Sequence, residues 1–162
     1  MSSIERIEKI IEQFSEKNLT IAFAESCTGG FLSHMITNVS GSSKIFDRAV
    51  VSYSNQAKIE ILKIDPKALK EYGAVSKPVA FQMAQNIRKI SGVNIGVGVT
   101  GIAGPTGGTL EKPVGLVYIG FSTEINNETE THVDRYVFKT SRIGFKKEVL
   151  KKVISFLEDF LF

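Results

Sequence analysis

The sequence contains no tryptophan, one cysteine and two histidines in 162 residues. A single cysteine excludes an internal disulfide and fits a reducing compartment. His34 and His132 lie far apart, with no companion cysteine or acidic residue at metal-site spacing, so we expect no metal. No apolar run is long enough to cross a bilayer, and the first residues lack the apolar core of a signal peptide. We therefore expect a cytoplasmic protein without membrane contact.

A strong charge of either sign is also lacking. The 20 Lys and Arg residues and the 17 Asp and Glu residues leave a formal net charge of +3, and the basic residues are spread along the chain. This distribution offers no electrostatic footprint for nucleic acid, so we expect no nucleic-acid partner. Hydrophobic residues make up 43% of the chain, which is enough for a full core. We predict a single globular domain over residues 1–162.

The order of apolar patterns predicts helices alternating with buried strands. Helical spacing of apolar residues predicts amphipathic helices, and short β-branched runs predict strands. The predicted strands are 19–24, 45–53, 93–100, 113–123 and 132–139. The predicted helices are 4–18, 31–38, 55–62, one from 65, 76–90 and 141–161. This order predicts a three-layer α/β/α domain with a mixed, mostly parallel sheet of about five strands.

Two details of the predicted sheet can be checked against a structure. Gly96 and Gly98 alternate with β-branched residues in the third strand, which predicts close approach of a neighbouring element on one face. The polar segment 124–131 is predicted to be a hairpin loop.

The first strand ends in Glu25-Ser26-Cys27-Thr28-Gly29-Gly30, and a helical pattern follows at once. Ser26 would lie at the carboxyl end of the strand and close to a helix N-terminus, where unpaired N–H groups favour developing negative charge. In the alternative interpretation, Ser26 and Thr28 only cap the helix while the glycines let the chain turn. The turn alone leaves both interpretations open.

A second glycine-rich loop, residues 100–108, leaves the third predicted strand. Ligands of α/β folds collect at the carboxyl ends of strands, so the two loops are candidates for one pocket. Neither loop has the Gly-Lys-Ser/Thr ending of a phosphate loop or the spacing of a dinucleotide fingerprint. Hydrolysis of nucleoside triphosphates is therefore not supported.

A tyrosine at a predicted strand end and a lysine five residues later form a third candidate group. A serine nucleophile needs a base, and a lysine becomes one when its pKa is lowered. Ser26, Tyr53 and Lys58 are the serine-based hydrolytic set that the chain offers, with the tyrosine hydroxyl relaying a proton or keeping the lysine neutral. The alternative is that Lys58 is a solvated helix residue. Cys27 could itself be the nucleophile, but with no histidine nearby in sequence we interpret it as a packing residue.

Several motifs together resemble the CinA C-terminal domain family. They are Ala24 to Gly30, Gly41-Ser42-Ser43, Tyr53 to Lys58, Thr100 to Pro105 with Gly107-Gly108, and Lys112 to Gly115. The motifs follow one another in the order of the family and cover nearly the whole chain. The family includes the nicotinamide mononucleotide deamidases called PncC, and its members are described as using a serine nucleophile with lysine and tyrosine and no metal.

The resemblance implies a nicotinamide-nucleotide amidase that converts nicotinamide mononucleotide to nicotinate mononucleotide and ammonia in pyridine nucleotide recycling, without a cofactor. Ser26 matches the nucleophile of the family, Tyr53 its tyrosine and Lys58 its general base. Arg142 matches a functional arginine that usually follows Gly-Asp, whereas here it follows Thr140-Ser141. We expect Arg142 to bind the 5'-phosphate or to lower the pKa of Lys58.

The implied mechanism also assigns residues that contact the substrate. We expect the backbone N–H groups at the start of the second helix to hold the tetrahedral oxyanion, and the glycines of the second loop to let the ligand approach closely. The candidate substrate-binding residues are Thr28, Gly29, Gly30, Thr100, Gly101, Gly104 and Arg142. The role of Glu25 stays open.

Two other functions remain as alternatives. One is a non-catalytic module that binds a nucleotide or a partner protein, in keeping with the family's names tied to competence and DNA damage. The other is an amidase for a different small carboxamide. The serine, lysine and tyrosine together favour an enzyme, and only the resemblance selects nicotinamide mononucleotide. Many family members carry an additional N-terminal domain with nucleotide pyrophosphatase activity, which we expect to be absent from these 162 residues.

The apolar residues near the C-terminus exceed what one helix face needs. They are Phe156, Leu157, Phe160, Leu161 and Phe162. This excess predicts a subunit contact, and therefore a homo-oligomer.

Overall fold

The computed structural model describes residues 1–161, which fold around one five-stranded sheet. The strands are β1 (Ile21–Glu25), β2 (Phe46–Val51), β3 (Ile95–Gly101), β4 (Leu116–Ile125) and β5 (Glu128–Val137). The helices are α1 (Ser3–Glu16), α2 (Phe31–Thr37), α3 (Asn55–Leu62), α4 (Pro66–Tyr72), α5 (Lys77–Ser91) and α6 (Arg142–Phe160). A short 3-10 turn covers Ser42–Lys44.

The sheet has the strand order β2-β1-β3-β4-β5. Strands β2, β1 and β3 are parallel, β4 is antiparallel to β3, and β5 is antiparallel to β4. Four of the five strands in the described part of the chain therefore run in one direction, which confirms the predicted mixed, mostly parallel sheet. The carboxyl ends of β1, β2 and β3 meet at one edge of the sheet.

Helices cover both faces of the sheet. One apolar cluster joins α1, α2 and α6 to one face, and a second joins α3, α4 and α5 to the other. Residues alternate along β1, so that Phe23 belongs to the first cluster while Ala22 and Ala24 belong to the second. This arrangement confirms the predicted three-layer α/β/α architecture.

Small residues on neighbouring strands let α5 lie directly on the sheet. Ala24 pairs with Gly98, and Gly98 pairs with Gly120 on the next strand. A Cβ atom on Gly98 would lie 2.5 Å from the backbone nitrogen of Ala84 in α5. The predicted close approach on one face of the third strand is therefore confirmed.

The predicted hairpin loop at 124–131 is wrong. β4 continues to Ile125 and β5 begins at Glu128, so only Asn126 and Asn127 form the turn. Their φ angles of 52° and 63° are those of a tight two-residue hairpin turn. The residues taken for a loop are polar because β5 is an edge strand with many exposed side chains.

The apolar C-terminal residues pack mostly within the chain. The Phe156 ring stacks on Phe121 with a centroid distance of 3.9 Å, and Leu157 is fully buried. Phe160 contacts the Phe14 ring of α1, and Leu161 is also buried. Phe162, the last residue of the predicted subunit contact, lies outside the described residues. These contacts account for much of the apolar excess, so the homo-oligomer stays a prediction.

None of the helices in residues 1–161 combines the length and the apolar composition of a membrane span.

Candidate active site

A cavity of about 360 Å³ opens at the carboxyl ends of β1, β2 and β3. Its lining comes from the turn after β1, the segment after β2, the loop before α5, the loop after β3 and the start of α6. The lining residues are Ser26, Cys27, Tyr53, Lys58, Ala74, Val75, Thr100, Gly101, Ile102, Ala103, Gly104, Thr106, Gly107 and Arg142. Arg142 supplies a cationic group to this lining, and no acidic side chain belongs to it, so the cavity suits an anionic ligand.

Ser26 and Lys58 meet at the base of this cavity. The Lys58 Nζ lies 2.9 Å from the Ser26 Oγ and 2.7 Å from the carbonyl oxygen of Ser52. The side chain of Lys58 is 1% exposed, and burial lowers the pKa of its amine from the usual value of 10.5. A neutral amine can donate to the Ser52 carbonyl while its lone pair accepts the Ser26 hydroxyl proton. The geometry therefore fits a serine with a lysine base.

Backbone pairing in the sheet fixes the positions of both residues. Ser26 follows β1 directly, and its N–H donates to the Val99 carbonyl at 3.1 Å. The N–H of Ser52 donates to the Glu25 carbonyl at 2.9 Å, which extends the pairing of β1 with β2. Lys58 then lies in the first half of α3. The sequence prediction that strand ends bring Ser26 and Lys58 to one pocket is thus met by the structure.

Cys27 lines the cavity beside Ser26 as a second candidate nucleophile. Burial raises the pKa of the Cys27 thiol to about 12, which leaves almost no thiolate at neutral pH. The free cysteine is buried, with 7% of its surface exposed. These properties favour Ser26 over Cys27 as the nucleophile.

The hydroxyl of Tyr53 does not contact the Ser26–Lys58 pair. Its side chain is 64% exposed, and its Oη accepts a hydrogen bond from the Arg142 Nη2 at 3.2 Å. Only the backbone carbonyl of Tyr53 reaches toward the Lys58 amine, at 3.4 Å. The expected proton relay or lysine-tuning role of the Tyr53 hydroxyl therefore has no support in this geometry. A sequence pattern gives the position of the residue but not the direction of its side chain.

Arg142 is the first residue of α6 and reaches across the mouth of the cavity. Its Nη1 donates to the Gly104 carbonyl at 2.8 Å. Ser141, which departs from the family pattern, caps the helix by accepting from the Gly144 N–H at 3.0 Å. The lowered pKa of Lys58 is caused first by burial, and Arg142 does not contribute to it. Of the two expected roles of Arg142, tuning Lys58 is therefore unsupported.

The predicted role of Thr28, Gly29 and Gly30 needs a correction. None of the three lines the cavity. The N–H of Gly29 donates to the Ser26 carbonyl at 3.1 Å, and the N–H of Gly30 donates to the Glu25 carboxylate at 3.0 Å. The Thr28 side chain is fully buried and also donates to that carboxylate. Two of the three expected oxyanion donors are thus engaged within the turn itself.

The second loop lies where the sequence predicts it. Thr100, Gly101 and Gly104 all line the cavity, and the Thr100 hydroxyl donates to the Ala74 carbonyl at 2.9 Å. Gly104 has a φ angle of 79°, and a Cβ atom there would collide with Val114. Only glycine fits this position, which lets the loop backbone face the cavity.

The sequence prediction assigned no role to two residues that lie near the site. Glu25, whose role was open, is fully buried and caps α2 with its carboxylate. Lys146 is half-buried, one helical turn after Arg142, and its Nζ would lie 3.7 Å from a Cβ atom added at Gly29. The i, i+4 spacing of the two cations could have identified Lys146, because such residues share a helix face.

Within residues 1–161, no three His, Cys, Asp or Glu side chains gather as a possible metal-ligand set. The absence of a metal from the function stays a prediction.

Comparison with known proteins identifies the family to which the sequence is similar. A model of the CinA C-terminal domain matches residues 4–161. A protein of Thermoanaerobacter sp. (strain X514), named for competence-damage inducibility, is 46% identical over 158 residues, covering 97% of this chain and 37% of the relative. A CinA-like protein of Koribacter versatilis is 50% identical over 125 residues, covering 76% of this chain and 30% of the relative. The chain thus spans only about a third of the length of these curated relatives.

Solved structures share the fold over its full extent. The competence/damage inducible protein CihA of Agrobacterium tumefaciens superposes with a TM-score of 0.90 at 36% identity, covering 98% of this chain and 96% of that one. A competence or damage-inducible protein of Enterobacter asburiae gives a TM-score of 0.90 at 28% identity, covering 100% of this chain and 99% of that one.

Proposed function

This chain belongs to the CinA C-terminal domain family, and we propose that it is an amidase that hydrolyses the carboxamide of nicotinamide mononucleotide to nicotinate mononucleotide and ammonia. The observation that carries the proposal is the buried Lys58 amine, 2.9 Å from the Ser26 hydroxyl oxygen. A module that only binds a nucleotide has no need of a lysine amine buried beside a hydroxyl.

The proposed reaction has two halves. Lys58 takes the Ser26 proton while the Oγ attacks the carboxamide carbon, and the resulting ammonium of Lys58 returns that proton to the leaving nitrogen as the C–N bond breaks. Ammonia departs and leaves the acyl group on Ser26. Water then attacks the ester carbon, again giving a proton to Lys58, which passes it to the Ser26 oxygen as nicotinate mononucleotide leaves. Lys58 and Ser26 are restored at the end of each turnover.

The oxyanion of each tetrahedral intermediate needs a donor other than Gly29 and Gly30. We assign this role to the backbone N–H of Cys27, the residue after the nucleophile. Cys27 lines the cavity, and its N–H donates to no oxygen acceptor in the described part of the chain. One such donor typically contributes a factor on the order of 100 to 1000 in rate.

The charge of the cavity supports a phosphorylated substrate. Arg142 lies on the lining and Lys146 close to the neighbouring turn, whereas no acidic side chain lines the cavity. The Arg142 guanidinium retains N–H groups beyond those bonded to Gly104 and Tyr53, and such a group binds phosphate well. The volume of about 360 Å³ lies within the range of about 300 to 1000 Å³ that is usual for small-ligand pockets.

A comparison of substrates tests this proposal. Ammonia release is measured with nicotinamide mononucleotide, with nicotinamide riboside, which lacks the phosphate, and with free nicotinamide. We expect the mononucleotide to be hydrolysed with a kcat/KM at least about tenfold above that of the riboside, because the phosphate interaction is lost. A preference for an unphosphorylated carboxamide would point instead to an amidase for a different small carboxamide. If none of the three compounds were hydrolysed, the proposal would be contradicted.

A further inference from the structure

We propose that Glu25 is a positioning residue: its buried carboxylate fastens the turn that carries Ser26 to the first turn of α2. The proposal rests on the proposed role of Ser26 as the nucleophile. It assigns a function to a buried acidic side chain at this edge of the sheet that the proposed reaction does not use.

The Glu25 carboxylate accepts four hydrogen bonds. Its Oε2 accepts from the Thr28 hydroxyl at 2.7 Å, from the Gly30 N–H at 3.0 Å and from the Leu32 N–H at 3.1 Å. Its Oε1 accepts from the Ser33 N–H at 2.8 Å. Three of these donors are backbone groups at the start of α2, which have no partner inside a helix. The carboxylate therefore closes the N-terminus of α2.

Nothing else in residues 1–161 balances this buried charge with an ion pair. Glu25 is fully buried, and no lysine or arginine of the described chain bridges to it. A carboxylate so far from solvent is costly unless its oxygens are fully hydrogen-bonded and its charge is favoured, here by the helix dipole. An uncharged side chain would suit the core better if only packing mattered. The carboxylate therefore indicates a role in holding the geometry of the turn.

Glu25 links the end of β1 to the start of α2 across the turn that carries Ser26. Its backbone belongs to β1 and pairs with both neighbouring strands, while its side chain reaches forward to Gly30 and Ser33. The turn between these points contains Ser26, and Gly29 and Gly30 adopt positive φ angles of 59° and 97°. Such a turn has little conformational preference of its own, so its geometry depends on the restraints at its two ends.

Small displacements of the Ser26 oxygen matter for the rate of the proposed reaction. Misplacement of a reacting atom by about 1 Å can cost about 100-fold in rate. Glu25 does not contribute to the lowered pKa of Lys58, so it is not an electrostatic partner of the base. Its effect should therefore fall on the placement of the Ser26 oxygen and leave the titration of Lys58 unchanged.

The test uses Glu25→Gln, which keeps the size of the side chain but replaces one acceptor oxygen by an amide nitrogen that cannot accept. Asp65→Ala is the matched control, because Asp65 also caps a helix, α4, through the Lys67 N–H at 2.9 Å and does not line the cavity. Two rates are measured for each variant: hydrolysis of nicotinamide mononucleotide, and labelling of Ser26 by a fluorophosphonate, which needs no nucleotide.

For Glu25→Gln we expect kcat and the labelling rate each to fall by about 10- to 100-fold, with KM changed less than about threefold. The apparent pKa of the rising limb of the pH–rate profile should stay at its wild-type value. Thr28→Val, which removes one of the four bonds, should give a smaller loss in the same two rates, and it serves as the second variant if Glu25→Gln does not fold. Asp65→Ala should leave both rates unchanged.

Wild-type rates in Glu25→Gln would overturn the proposal, as would equal losses in Asp65→Ala or a shifted pKa of the rising limb. If the wild type does not hydrolyse the mononucleotide, the proposed function fails, and the labelling rates alone decide the role of Glu25. Slower labelling in Glu25→Gln but not in Asp65→Ala would then still support it.

Discussion

The Lys58 amine lies 2.9 Å from the Ser26 hydroxyl oxygen, across 32 positions of sequence. The two residues meet because Ser26 directly follows β1 and Lys58 lies in the helix after the neighbouring parallel strand β2. Burial favours the neutral form of the lysine, and no acidic residue lines the cavity to reverse that preference. Burial thus shifts Lys58 toward the neutral form that the proposed mechanism requires.

The first prediction concerns the pH dependence of the rate. Lys58 must be neutral to accept the Ser26 proton, so kcat/KM should rise with pH along a limb whose apparent pKa lies below 10.5. Lys58→Arg should lose nearly all activity, because a guanidinium stays protonated at every accessible pH. Initial rates of ammonia release between about pH 5 and 10 check both points. A limb at or above the usual lysine pKa would contradict the role of burial.

The second prediction concerns stability. The pKa of Lys58 is lower in the folded protein than the 10.5 of the unfolded chain. Between these two values the unfolded state binds more protons, so the free energy of unfolding should rise with pH, by at most about 1.4 kcal/mol per pH unit. Below the lowered pKa both states are protonated, and the full cost of the buried charge is present. Lys58→Met should lack this rise and be more stable than the wild type at low pH.

Denaturant unfolding of the wild type and of Lys58→Met at several pH values measures this difference directly. Titrations of other groups affect both proteins alike and cancel in the comparison. Equal pH slopes for the two proteins would show that the amine of Lys58 titrates normally in the folded state.

These pH effects rest on a contact that the sequence could predict. The small-residue turn after β1 and the tyrosine–lysine motif after β2 place Ser26 and Lys58 at one edge of a parallel sheet, and the resemblance to the family supports that pairing. Strands β1 and β3 were also predictable, because they are buried and apolar along nearly their whole length.

Side-chain direction and polar edge strands could not be predicted in the same way. Tyr53 turns outward to Arg142, and Glu25 reaches forward over the turn to cap α2. The direction of Tyr53 depends on a contact with a residue 89 positions away, and the contacts of Glu25 depend on how the turn after β1 folds. The start of β5 is polar on an exposed edge, so it lacked the apolar signal of a strand, and the Asn126-Asn127 turn was missed.

The third prediction separates two roles of Tyr53. Its hydroxyl contacts Arg142 and not the Ser26–Lys58 pair, so Tyr53→Phe should keep kcat within about threefold and shift no apparent pKa by more than a few tenths. KM should rise modestly, because the arginine loses one of its restraints. Steady-state kinetics across the pH range check this expectation. A loss of about 100-fold or more in kcat would instead mark the tyrosine as a proton-transfer group.

The fourth prediction concerns Arg142 and the phosphate. Arg142→Ala should raise KM for nicotinamide mononucleotide by about 10- to 100-fold, because charge-assisted bonds to an anion are lost, and should hardly change hydrolysis of the riboside. Arg48→Ala is a suitable control, since Arg48 is exposed on β2 and pairs with Asp47 away from the cavity lining. Equal losses with both substrates would mean that Arg142 acts by holding Gly104 in place.

The most direct measurement is ammonia release from nicotinamide mononucleotide by purified protein treated with a chelator, beside Ser26→Ala, Lys58→Ala and the neighbouring control Cys27→Ala. We predict steady turnover by the wild type, a loss of at least about 1000-fold in the first two variants while they remain folded, and near wild-type turnover in the third, whose thiol has a pKa of about 12. Activity that survives in Ser26→Ala or disappears in Cys27→Ala would contradict the serine–lysine mechanism. A wild type that binds the mononucleotide without releasing ammonia would contradict the proposed reaction itself.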